Sequence, residues 1–165
     1  MLLDHFTMGF IIAIPLILLS FLINSDDPFE ISTAEHITFY LMTLIYLNKD
    51  FLRGKSFAKR KLGLQLINRR TGKSANELQC FIRNITVLVW PLEVMVIMVS
   101  PKRRIGDLLA NTKVELGEKE DVSSIFADLK QFKLTSTTIW TLGLGLIYIG
   151  IFWYVIEQGV LWPLL

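Results

Sequence analysis

The sequence predicts an all-α integral membrane protein with three transmembrane helices, a re-entrant or interfacial helical hairpin, a small cytoplasmic β element and an amphipathic surface helix. Of its 165 residues, 52% are hydrophobic, and the mean hydropathy is +0.48. Ordinary soluble domains are less apolar. Uncharged runs alternate with charged loops, and all 17 Lys and Arg residues lie in segments that can share one side of a membrane. Because basic loops favour the cytoplasmic side, these segments are predicted to be cytoplasmic.

The first predicted span covers residues 6–25, which contain no charged side chain. A helix of 20 residues matches a hydrocarbon core of about 30 Å. Pro15 should bend it, since proline removes a backbone hydrogen bond. No basic segment precedes the run and no small-residue cleavage pattern follows it, so we expect a retained helix rather than a signal peptide.

The second predicted span covers residues 35–52, around an apolar run of 12 residues at 37–48. The loop before it carries only acidic charges, at Asp26, Asp27 and Glu30, and the loop after it is basic. A soluble core helix can be equally short. The position of the run between an acidic and a basic loop favours the spanning interpretation.

Residues 80–100 form the predicted hairpin. Their apolar part, residues 85–99, contains Pro91 and Glu93 and is a poor spanning helix. If it did span, the basic cluster at residues 102–104 would lie outside, opposite the basic block at 49–73. A re-entrant or interfacial hairpin keeps both clusters inside, and Glu93 would then need a polar partner.

The last predicted span, residues 135–157, lies in an uncharged stretch that runs from Leu134 to Ile156. No Lys or Arg follows it. The prediction is therefore a cytoplasmic amino terminus and an exterior carboxyl terminus, in the cytoplasmic (inner) membrane of a bacterium.

Two alternating segments, residues 62–68 and 112–116, are predicted to pair as strands beneath the membrane. Apolar residues recur at helical spacing between Asp121 and Leu134, which predicts an amphipathic helix. It would lie on the inner membrane surface or dock on protein. The predicted units are a membrane domain at 1–116, a linker helix at 117–134 and the additional span at 135–157.

The sequence offers no pattern typical of a catalytic site or a cofactor site, and we expect the protein not to be an enzyme. Cys80 is the single cysteine, which excludes an intrachain disulfide and a cysteine-rich metal site. The Gly-Lys-Ser triplets at residues 54–56 and 72–74 lack the earlier glycine of a phosphate loop, so no nucleotide is predicted. Nor do we expect a nucleic-acid partner or a metal.

Ionisable side chains cluster at the predicted ends of the helices, where a charge is costly unless it is paired or hydrated. In one interpretation Asp4 pairs with Arg83 or Arg104 and joins the helices, and in the other Asp4 and Asp107 belong to an ion or proton path. The candidate cluster is Asp4, Asp50, Arg83, Arg103, Arg104 and Asp107. Candidate ligands for anionic lipid headgroups are Lys55, Lys59, Arg60, Lys61, Lys102, Arg103 and Arg104.

These residues form a pattern that resembles the RDD family of bacterial membrane proteins over about residues 1–116. The family is named for one arginine and two aspartates, and the resemblance implies that Asp4 and Asp107 are the aspartates. Its motif residues here are Gly54, Ser56, Lys59, Arg60, Gly63, Arg83, Arg103, Arg104, Asp107, Ala110 and Thr112. Three departures stand out: no Arg or Lys precedes Asp4, Ala58 replaces a usual glycine, and Gly106 replaces a common histidine.

The resemblance implies a role connected with ion transport, in an oligomer or with a partner membrane subunit, because three spans are too few for a self-contained carrier. The alternative is a non-catalytic accessory or scaffold membrane protein that binds anionic headgroups or a partner through its basic motif. A hydrated cavity at the charge cluster would favour transport. A closed ion-pair cluster would favour the scaffold.

Overall fold

The computed structural model describes residues 2–22, 33–89, 95, 96, 98 and 104–157. The chain is mostly helical, with one two-stranded antiparallel sheet. Its elements in order are α1 (Leu2–Leu22), α2 (Thr33–Leu47), α3 (Phe57–Leu62), β1 (Leu64–Asn68), α4 (Glu77–Ile85) with a 3-10 turn (Thr86–Val89), α5 (Ile105–Leu109), β2 (Thr112–Leu116), α6 (Ser124–Gln131) and α7 (Ser136–Glu157).

The predicted strand pair is confirmed. β1 and β2 pair antiparallel, with Leu66 opposite Val114 and Leu64 opposite Leu116. β2 has the predicted bounds, but β1 begins two residues late, because Leu62 still belongs to α3. Gly63 ends α3 with a left-handed φ of 65°, a conformation that glycine adopts without strain.

A small apolar core joins the sheet to α4. Leu66, Ala75 and Cys80 are buried together, and Val114 packs against them. Asn76 begins α4 with a reciprocal capping pair, in which its side chain accepts from the backbone of Gln79 and the Gln79 side chain accepts from the backbone of Asn76. Two strands alone are marginally stable, and α4 supplies the surface that they need.

In the part of the chain that the structure describes, the long helix α7 packs against α2 and α4. Thr138 and Thr141 are buried on its packed face. Gly145 allows close approach, since a Cβ there would lie 2.6 Å from Leu44 Cδ1. At its start, the Thr137 hydroxyl donates a 2.7 Å hydrogen bond to Glu77 at the start of α4. α7 is therefore fixed to the rest of the chain at its base and along one side.

The prediction of three transmembrane helices is wrong. Among the described residues, one helix, Ser136–Val155, is long and apolar enough to cross a membrane by its length and composition. α1 itself has 21 residues, but its apolar segment among the described residues, Gly9–Leu19, and that of α2, His36–Leu47, are only about 16 Å and 18 Å long at 1.5 Å per residue. The class is also mixed rather than all-α, because the chain contains the small antiparallel sheet that was predicted beside the helices.

The predicted hairpin lies partly outside the described residues. Its first residues form the end of α4 and the 3-10 turn, whereas Pro91 and Glu93 are not in the described part. The acidic loop of Asp26, Asp27 and Glu30 is not in it either. The predicted linker helix is present but shorter, at Ser124–Gln131.

Candidate functional site: a buried network of ion pairs

Asp50 is the centre of a network of buried charges. It lies in the turn after α2 and has no exposed surface. Lys59 of α3 donates to its Oδ1 at 2.6 Å, and Arg83 of α4 lies 3.6 Å from its Oδ2. Asn84 donates to the same Oδ2 at 3.4 Å and to the carbonyl of Leu47 at 3.0 Å. One carboxylate thus joins the end of α2 to α3 and α4.

Asp107 extends the network to α5 and β2. Its Oδ1 accepts from Arg83 Nε at 2.5 Å and from the Thr112 hydroxyl at 3.1 Å. Burial alone would lower the pKa of Arg83, but the nearby carboxylates of Asp107 and Asp50 raise it above its usual range. The guanidinium is therefore held in its charged form between two acids.

The residues of the Gly-x-Ser-x-x-Lys-Arg segment form the turn and the helix start that place Lys59 beside Asp50. Gly54 adopts a φ of 67°, and a Cβ there would lie 2.6 Å from the carbonyl oxygen of Leu66. Ser56 is the N-cap of α3, and its side chain accepts from the Lys59 backbone. Each small or polar residue of the segment thus has a structural reason for its position.

Close contact between α4 and α5 places Asp107 beside Arg83. A Cβ on Gly106 would lie 2.2 Å from the carbonyl oxygen of Arg83 and 2.6 Å from the hydroxyl of Thr86. Ala110, at the end of α5, is also buried. Only a glycine at 106 leaves room for this packing.

The network balances its own charge, with two acids facing two bases. Burial of a lone charge is costly, whereas a paired and hydrogen-bonded charge can be accommodated. A cavity of about 270 Å³ lies elsewhere, between residues 51–53 and the end of α6, and none of the four charged residues lines it. The geometry at the network is that of a closed cluster.

A second group of ion pairs, which we name the α6 clasp, holds α6 against α3. Arg60 is almost fully buried and bonds Glu120 at 2.6 Å and Asp128 at 2.7 Å. Lys55 also bonds Glu120, at 2.5 Å, and Arg53 lies 3.1 Å from Asp128. The hydrogen bond from Lys55 is the main reason that the pKa of Glu120 lies below its ordinary value.

The structure brings together three of the six predicted cluster residues: Asp50, Arg83 and Asp107. Arg104 is half-buried at the N-cap of α5. The Asp4 side chain and residues Lys102 and Arg103 lie outside the described part, so the predicted Asp4 pairing stays a prediction.

The headgroup prediction needs correction at Lys55, Lys59 and Arg60. All three are buried and paired with carboxylates of the protein, since Lys59 bonds Asp50 after α2, whereas Lys55 and Arg60 bond Glu120 just before α6. Lys61 is exposed and remains available to a headgroup.

Sequence reasoning did not identify Asn84, Glu120 or Asp128 as site residues. The sequence does place Asp128 four residues after Ser124, so that the two side chains share one face of a helix. In the structure both side chains accept hydrogen bonds from Arg60. Glu120 is in an irregular segment, where no spacing rule applies.

The described residues include no group of three or more His, Cys, Asp or Glu that could hold a metal ion. Cys80 is fully buried, and burial raises the pKa of its thiol, so it is a poor nucleophile.

Comparison of the chain with protein-family models, with curated proteins and with solved structures gave no match. The RDD resemblance therefore stays a prediction that rests on the motif residues.

Proposed function

We propose that this protein is a non-catalytic accessory or scaffold protein, anchored in a membrane by α7. In this role the buried ion pairs lock the body of the protein, which comprises α3, α4, α5 and the sheet, into one shape beside the bilayer. The anchored body then presents its surface to the lipid or to a partner membrane subunit.

The closed network of Asp50, Lys59, Arg83 and Asp107 is the observation that carries this proposal. A path for ions needs acidic groups that exchange their ligands with a hydrated space. Here each acid is held by a buried base within the protein, and neither acid lines the cavity between residues 51–53 and the end of α6. Such an arrangement fits a structural role for the charges.

Support for the anchor comes from the surface of α7. Outside its packed face, large apolar side chains are exposed, among them Ile139, Trp140, Leu146, Ile147 and Ile151. Soluble proteins rarely expose a continuous apolar patch of this extent. Lys130 and Lys133 precede the helix, whereas residues 158–165 carry no Lys or Arg, and this bias favours a cytoplasmic body.

Reconstituted vesicles can separate the scaffold from a transporter. We expect purified protein to give no cation-dependent proton flux above that of protein-free vesicles. The double variant Arg83→Met/Asp107→Leu replaces the ion pair by apolar groups, and it should still fold and insert, since such replacements are often tolerated. Proton flux that the wild type supports and the double variant loses would contradict the proposal.

A further inference from the structure

The helix α6 is docked with its polar side inward. Asp128 accepts from Arg60 at 2.7 Å, and the Ser124 hydroxyl accepts from the same guanidinium at 2.9 Å. Gln131 accepts from Arg53 at 3.2 Å. Surface helices of soluble proteins usually bury their apolar stripe and expose their polar one. In α6 this arrangement is reversed.

The reversal leaves two large apolar side chains of α6 uncovered, whereas Ile125 is half-buried and Phe132, just after the helix, stacks on Phe51. Phe126 is 68% exposed and Leu129 is 51% exposed. Leu134, in the connection to α7, is 75% exposed. Lys130 of the same helix is exposed, as is Lys133 in the connection, which also lines the mouth of the cavity beside Phe132. An apolar strip with flanking lysines has the composition of helices that lie in the interface of an anionic bilayer.

The short connection to α7 restricts where this strip can lie. Five residue steps separate the end of α6 at Gln131 from the start of α7 at Ser136, and an extended chain covers at most about 17 Å over that length. The α6 clasp and the hydrogen bond from Thr137 to Glu77 hold both helices to the same body. A membrane that surrounds α7 therefore begins within reach of α6.

We infer that Phe126, Leu129 and Leu134 form a lipid-docking strip that enters the headgroup region of an anionic membrane, with Lys130 and Lys133 contacting the lipid phosphates. The strip rests on the proposed function, because it needs α7 in the bilayer. The α6 clasp sets the orientation of the strip, since it turns the polar side of α6 toward the protein and the apolar side toward the lipid.

The test uses the full-length chain with single introduced cysteines, each labelled with an environment-sensitive fluorophore. Cys80 is fully buried, so the reagent reaches the introduced thiol alone. The test site is Phe126→Cys. Ala127→Cys is the matched control, because it is exposed on the same helix about 100° further around. A third variant, Leu146→Cys, reports on α7.

Labelled protein is reconstituted into phosphatidylcholine vesicles with and without phosphatidylglycerol, which contain lipids with a nitroxide near the top of the acyl chain for positions 126 and 127 and near its end for position 146. We expect quenching at position 126 to be several-fold stronger than at position 127 in the anionic vesicles. The change Lys130→Glu/Lys133→Glu should weaken quenching at 126 in the anionic vesicles and leave position 146 quenched.

Three results would overturn the inference. Equal quenching at 126 and 127 would show no preferred side. A fluorophore at 126 that is shielded but not quenched would show that a protein surface covers the strip. In both cases quenching at 146 would leave the proposed anchor intact. Absence of quenching at 146 would overturn the anchor and the strip together.

Discussion

At the scale of single residues, the pair of Arg83 and Asp107 behaves as a unit. We expect Arg83→Met or Asp107→Leu alone to lower the free energy of unfolding by about 3–5 kcal/mol, because each leaves a buried charge unpaired. The double variant should recover most of this loss. Denaturant unfolding of the full chain in detergent measures all three. A double variant as unstable as the two losses added together would contradict the pairing.

A surface pair provides the control for this experiment. Lys113 and Glu115 lie 2.5 Å apart, but both side chains are 47% exposed. Lys113→Ala should change the free energy of unfolding by less than about 1 kcal/mol.

Gly106 gives a second prediction at this scale. Gly106→Ala should destabilise the protein by about 1–3 kcal/mol, since the added methyl group has no room beside the Arg83 carbonyl. Gly143→Ala is the matched control, because a Cβ there meets nothing within 4 Å. The control should be neutral or stabilising, by up to about 1 kcal/mol, owing to the better helix propensity of alanine. Thermal unfolding of both variants checks the difference, and equal destabilisation would contradict the proposed close contact.

Sequence reasoning identified Asp50, Arg83 and Asp107 because charged residues stand out at the edges of apolar segments. It assigned Lys59 and Arg60 to lipid headgroups, although both are buried in ion pairs. The reason is that their partners, Asp50 and Asp128, lie 9 and 68 positions away. Contacts over such separations depend on the fold, which local spacing does not contain.

At the scale of elements, the α6 clasp is expected to be separable from the body. Arg60→Ala leaves Glu120 and Asp128 without their main buried partner. We expect the amides of residues 124–131 to lose on the order of a hundredfold in hydrogen-exchange protection, while α4 stays protected. Lys113→Ala again serves as the control. Loss of protection throughout the chain would show that α6 is part of the core.

The pH dependence of stability should report on Glu120. Because its pKa in the folded protein is lower than the ordinary value of 4.5, Glu120 stabilises the fold above that pH. The contribution is lost as pH falls through the folded pKa. The difference in unfolding temperature between wild type and Glu120→Gln should therefore be constant from pH 7 to about 5 and shrink below 4.5. A difference that grows in acid would contradict the assignment.

The bounds of the strands were predicted better than those of the helices. Apolar and polar residues alternate at 112–116, and this alternation predicted β2 with its observed bounds. Such a pattern is typical of a strand with one buried and one exposed face. The second span was overestimated because its apolar run was extended to residue 52, whereas residues 48–54 form turns. α2 is helical only over Thr33–Leu47, a length of about 22 Å.

At the scale of the whole molecule, two sets of ion pairs lock the body of the protein, and a long apolar helix is fixed to it. The buried network joins α2, α3, α4 and α5, and the α6 clasp joins α6 to α3. The apolar side chains on the outer surface of α7 take no part in this packing and are exposed. We expect lipid to cover that surface.

Alkaline carbonate extraction of cell membranes that contain the full chain tests this claim most directly, with Leu146→Arg beside the wild type. Leu146 is 66% exposed, so an arginine there would be harmless if the helix faced water. In a bilayer it costs about 3 kcal/mol near the centre of a span. We predict that the wild type stays in the membrane pellet and that Leu146→Arg is partly released. A wild type that is extracted, or a variant retained as fully as the wild type, would contradict the account.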